Sequence, residues 1–126
     1  MIHQEVTLPA SPEQIYALLT DGKLFTAVTG GREAEISGKE GAAFSLFGGA
    51  IHGRVVELIP GKRIVQAWRP KPWPEGHYSL VRFSLAPDGN GTKLVLDHTG
   101  YPDEQHDHLS AGWAENYFEP LAKYLA

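Results

Sequence analysis

Residues 63–78 read RIVQAWRPKPWPEGHY, and the fold turns on how this stretch is read. Its first half predicts a strand, in which Ile64, Val65, Ala67 and Trp68 supply apolar bulk. Its second half sets Pro70, Pro72 and Pro74 around Trp73, ahead of a turn at Gly76. Proline removes a backbone donor and fixes φ, so alternate prolines forbid ladder pairing there. A second strand pattern begins at once, over 78–85. The expected product is a strand, a stiff aromatic-bearing arch and a returning strand. Flanking prolines keep Trp73 out of a sheet interior, so the arch is expected to hold it rigidly near the surface, either as an anchor for recognition or as a lid shielding the mouth of the grip.

Outward from the arch, the same period of two recurs. Segments 32–36, 43–47, 51–59, 63–69, 77–86 and 92–100 alternate as strands. Turn chemistry separates them: Ser37-Gly38, Gly48-Gly49, Pro60-Gly61, the arch, and Asp88-Gly89-Asn90-Gly91. Short separations imply antiparallel neighbours. Asn90-Gly91-Thr92 has the form of a glycosylation sequon and reads here as a hairpin turn. Before this meander, residues 2–8 form a further strand that stops at Pro9. Ser11, Pro12 and Gln14 then mark a helix start, with Ile15, Leu18 and Leu19 on one face, and Asp21-Gly22 ends it. A second short helix is expected over 23–28. The chain closes with a long helix over 103–125, on which Leu109, Trp113, Tyr117, Leu121 and Tyr124 form one apolar stripe.

This order is α+β: about seven antiparallel strands, two short helices after the first, and a terminal helix laid across the concave face of a curved sheet. The space between sheet and helix is either a packed core or a cavity. Phe44, Phe47, Trp68, Phe83, Trp113 and Tyr117 are expected to face it. The plainer expectation is that they fill it; the alternative is a ligand cavity, made roomier by Gly38, Gly41, Gly48, Gly49 and Gly53.

Composition narrows the function. With 126 residues and a charged fraction of 21%, the chain is expected to be one domain with its own core. The net charge of −4 and the absence of any basic block argue against nucleic acid and anionic membrane as partners. The chain has no cysteine, which excludes disulfides, thiolate nucleophiles and cysteine-ligated zinc. The opening MIHQEVTLPASPEQ has no basic region before an apolar run, so a cytoplasmic setting is expected.

Catalytic and metal motifs are hard to find. His106 and His108 flank Asp107, but i and i+2 on a helix point to different faces. Asp97 and His98 are strand neighbours, which face opposite sides. No metal site or cofactor is implied, and no G-x-S-x-G elbow is present; Ser79 and Ser84 can face outward or inward on the sheet, solvent exposure being the usual outcome. An enzyme would need an interior acid or base, for which His52, Asp97 and His98 are the candidates. Glu57, Asp97 and Glu115 are the carboxylates that could meet across the grip. A local basic cluster, Lys62, Arg63, Arg69 and Lys71, lies near the arch.

The segment FGGAIHGRVVELIPGKRIVQAWRPKPWPEGHYSLVRFSL resembles the central sheet of the activator of heat-shock-protein-90 ATPase homologues. Trp73 to His77 match that family's WPEGH-type arch, and Gly112, Trp113, Tyr117 and Phe118 match its GW…YF helix. The opening is similar to the START-like, or SRPBCC, helix-grip superfamily at large. The resemblance is to the C-terminal domain of two-domain eukaryotic co-chaperones, and Pro120 interrupts the final helix. It implies a helix-grip fold and a non-catalytic binding protein, with the 90-kDa heat-shock chaperone as partner; the arch and its basic residues make Arg69, Lys71, Trp73 and His77 the candidate contacts. Two other roles known in the superfamily stay open: a carrier of a small apolar ligand between sheet and helix, and a cyclase or hydrolase.

Overall fold

A computed structural model describes residues 1–126. The first strand, β1 (Ile2–Leu8), leads into helix α1 (Pro12–Thr20), whose start is capped by Ser11: its hydroxyl accepts the Gln14 N–H at 3.1 Å. Asp21 both ends α1 and starts α2 (Gly22–Val28), where its carboxylate accepts the N–H groups of Lys23 and Leu24.

Five further strands follow: β2 (Ala43–Leu46), β3 (Ile51–Ile59), β4 (Arg63–Pro70), β5 (Ser79–Asp88) and β6 (Gly91–Thr99). The sheet order is β1-β6-β5-β4-β3-β2, antiparallel throughout, so the first strand in sequence closes onto the last. Between Val55 and Glu57 the β3–β4 register slips, leaving Val56 as a bulged residue. A bulge of this kind bends and twists the sheet locally.

The sheet has six strands, one fewer than the alternation predicted. Segment 32–36 contributes a single bridge, Glu35 to Ser45. Left-handed turns at Gly31 and Gly38 bracket it, and its backbone is drawn toward α2 instead. Gly22 N–H donates to Ile36 O at 3.1 Å, so close that a Cβ on Gly22 would lie 2.7 Å from Ala34 O. The strand glycines do not enlarge the interior in the way the cavity alternative would use. A side chain on Gly53 would sit 1.8 Å from Ala67 O and 3.1 Å from the Phe44 ring, so glycine there permits close strand approach. Gly48 and Gly49 adopt positive φ in a turn.

The closing helix is three pieces in series: α3 (His106–Trp113), a π-helical turn (Ala114–Phe118) and α4 (Glu119–Tyr124). Pro120 explains the break, because its ring would press on the carbonyl four residues back and it donates no hydrogen bond. A wide turn takes up the extra residue and relieves both faults. The added residue rotates the apolar face. Tyr117 and Phe118 are both buried, Leu121 follows them inward, and Tyr124 turns out of the expected stripe to 44% exposure. A single cluster of 26 buried residues joins sheet and helices.

Candidate functional site

The arch between β4 and β5 is built around an arginine. Three prolines leave it rich in carbonyls and poor in donors, and the Arg69 guanidinium supplies the deficit. Nη1 donates to Pro74 O at 3.1 Å, while Nη2 donates to Trp73 O and Lys71 O. Arg69 is therefore buried, not part of an exposed basic cluster. Arg63 of that cluster is also engaged, donating to Glu57 at 2.7 Å. At the far end of the arch, His77 Nε2 donates to Gly100 O at 2.9 Å.

Trp73 takes the lid position and not that of an exposed anchor. It is only 7% exposed, packed edge-on against Trp68 at 6.0 Å and His77 at 5.4 Å. The prolines do keep Trp73 out of the β-ladder, yet the arch folds over the mouth of the grip and turns the indole inward. Lys71, Pro72, Pro74, Glu75, Gly76 and Tyr78 carry the exposed surface of this region, with His77 half-buried.

Beneath the arch the interior is filled. Trp113 stacks on Trp68 at 5.4 Å and meets Phe83 at 5.8 Å and Tyr117 at 4.5 Å. Phe47 closes the far side against Tyr117 at 5.7 Å and Phe25 at 5.8 Å. Of the six aromatic residues expected to face the interior, these five form one cluster. Phe44 is buried beside Gly53 instead.

What stays open is a groove of about 480 Å³ at the mouth. Its walls are the arch, the turn from Phe47 to Ile51, and the first half of the closing helix. Trp68, Trp73, Trp113 and Leu109 line it, with Arg32 and Asn116 among its polar residues. Sequence reading missed Arg32 and Gly112 as lining residues, since both come from segments remote from the arch.

Behind the groove runs a buried relay. The indole Nε1–H of Trp113 can only donate, and it lies 3.1 Å from His98 Nδ1. Nδ1 must therefore accept, which places the imidazole proton on Nε2, 2.7 Å from Ser79 Oγ. Ser79 in turn donates to Trp68 O at 3.0 Å. Ser79 is thus buried, not solvent-exposed as is usual. His98 is fully buried, and burial pushes its pKa down to about 4. Leu94, Leu96 and His98 share the inward face of β6, a period-two signal that was present in the sequence.

The remaining candidates do not converge on the groove. Asp97 faces the other side of the sheet, bonded to His3 at 2.7 Å and Arg82 at 3.0 Å. Burial acts to raise its pKa, but these two partners outweigh it and hold the carboxyl below its usual range. Glu57 is on the same outer face beside Arg63, and Glu115 lies near α2. No group of three or more His, Cys, Asp and Glu side chains comes together as a metal site.

Residues 9–126 match the family model described as Activator of Hsp90 ATPase homolog 1-like protein. The chain belongs to this family. Among relatives of this Hsp90-ATPase-activator-like chain, the human activator of 90 kDa heat shock protein ATPase homolog 1 is 32% identical over 115 residues, covering 91% of the chain and 34% of the relative. The Hsp90 co-chaperone AHA1 of Saccharomyces cerevisiae is 26% identical, covering 95% of the chain and 36% of the relative. The chain thus spans about a third of the length of these curated relatives. The crystal structure of an HSP90 activator from Plasmodium falciparum superposes with a TM-score of 0.90 at 29% identity, covering 99% of this chain and 96% of that one. The helix-grip architecture expected from the arch and the closing helix is the one this family has.

Proposed function

We propose that this chain is a non-catalytic binding module that docks on a 90-kDa heat-shock chaperone in the cytoplasm, acting as one domain over residues 1–126. The observation that carries the reading is the likeness to the Plasmodium falciparum HSP90 activator along nearly the full length of both chains. The side chains support it. His98, the interior base an enzyme would need, has both ring nitrogens committed to the relay, and the Ser79 hydroxyl is committed with it. No helix is long and apolar enough to cross a membrane.

In this reading Lys71 and Tyr78 on the arch touch the partner, while Arg69 and Trp73 hold the arch in shape. Preorganisation of this kind lowers the ordering cost of binding. A titration against the purified chaperone, with ATPase rate as a second readout, tests the idea; no binding at high micromolar concentration removes it. Trp73→Ala is expected to weaken both binding and fold. The stability loss should be about 2 kcal/mol, below the range for a fully packed tryptophan because Trp73 borders the open groove. Reduced stability with unchanged chaperone binding would remove the arch from the contact surface.

A second reading, carriage of a small apolar ligand between sheet and helix, is favoured by one observation: the 480 Å³ groove left open above a filled core. That volume lies within the usual range of small-molecule sites.

A further inference from the structure

We propose that the groove binds a small amphipathic carboxylate, its apolar body against Trp68, Trp73 and Trp113 and its carboxylate on the Arg32 guanidinium. This rests on the carrier reading above and adds the chemical class of the ligand. The argument begins with Arg32. It lines the groove, and no carboxylate of the protein pairs with it. Its guanidinium is nonetheless held in place. The head group stacks over the Phe47 ring at 4.3 Å, and Nη1 donates to Asn116 Oδ1 at 3.2 Å. A positioned guanidinium with donors to spare is the usual partner of a carboxylate, which it grips through paired hydrogen bonds.

Phe47 sets that position at a cost. Its φ of 54° makes it the one non-glycine residue with a left-handed backbone. Strain of this kind persists where the surroundings over-determine a conformation, most often at binding sites. The groove floor is the Trp68 indole, itself 3% exposed. Space is secured on the helix side by Gly112, where a Cβ would meet only the Asn116 amide, at an ordinary 3.6 Å. Glycine in a helix interior is unfavourable, and here its visible effect is to keep the groove open.

The test uses 2-naphthoate and the uncharged 2-naphthamide, two probes of nearly equal shape. Binding is followed by the indole N–H resonances of the three tryptophans in a nitrogen–proton correlation spectrum. The expected result is shifts at Trp68 and Trp73, with naphthoate at least tenfold tighter than naphthamide. Arg32→Gln should erase that preference and leave naphthamide binding unchanged, while Arg32→Lys restores part of it. Gly112→Leu, which fills the groove without a backbone clash, should abolish binding of both probes in a protein that still unfolds cooperatively. Equal affinities in the natural protein, with both probes blocked by Gly112→Leu, would overturn the carboxylate assignment and leave the carrier reading standing. No indole shift from either probe at millimolar concentration would overturn both.

Discussion

Replacing Trp113 with alanine is expected to cost about 4–5 kcal/mol, a large share of the 5–15 kcal/mol that holds a domain of this kind together. The residue is 2% exposed and contacts Trp68, Phe83, Tyr117 and His98, so the truncation opens a cavity at the meeting point of sheet and helix. Partial collapse is hindered because the neighbours are rigid rings on four different elements. A second cost is polar: His98 Nδ1 loses its only donor and stays buried. Trp113→Phe separates the two terms. It keeps most of the volume, removes the N–H, and should cost about 1–2 kcal/mol. Urea titrations followed by circular dichroism measure both. An alanine variant within about 1 kcal/mol of the natural protein would mean that Trp113 is not the keystone of the core.

Acidification should weaken the fold through His98. Its folded pKa, about 4, lies below the ordinary 6.5 because burial penalises the imidazolium, with the N-terminal charge as a lesser cause. The unfolded chain therefore takes up this proton first as pH falls. Between pH 6.5 and 4 the unfolded state binds more protons, so stability falls with pH across that window and is regained above it. The full shift corresponds to roughly 3 kcal/mol, since each pKa unit is worth about 1.4.

The relay acts in the same direction as burial. An added proton on Nδ1 would meet the Trp113 N–H donor to donor. His3 opposes the trend, because hydrogen bonds to Asp97 and Glu5 raise its pKa; its contribution is present below 6.5 and lost as pH rises. It is fully exposed, so its effect is weak. The lowered pKa values of Asp97 and Glu5 give losses at still lower pH, as those carboxylates protonate. A His98→Gln variant starts from a lower stability, but its slope between pH 6.5 and 4 should be flat relative to the natural protein. Equal slopes in the two would show that another group carries the acid sensitivity.

Much of this fold was legible in residue order. Six of the seven predicted strands differ from the observed ones by two residues or fewer at each end, because turn glycines and prolines punctuate them sharply. The strand over 32–36 was illegible as what it is. Its alternation is real, but Gly22 drew its backbone toward a helix, and no local pattern records that approach. The aromatic cluster was legible as a set and not as an arrangement. Only the turn that left Phe47 with a positive φ decided that it, and not Phe44, would border the groove.

Sequence alone determined the element order, the arch and its family. These depend on local terms: proline's missing donor, glycine's freedom, and the period of apolar residues. Tertiary structure alone decided which way the arch faces. Arg69 gathers the carbonyls of Lys71, Trp73 and Pro74 in an arch short of backbone donors, with Trp73 folded inward over Trp68. It alone made His98 a relay and Arg32 a groove residue, since each acquired its role from partners far away in the chain. Burial and hydrogen-bond pairing are properties of the assembled core, and no stretch of sequence carries them by itself.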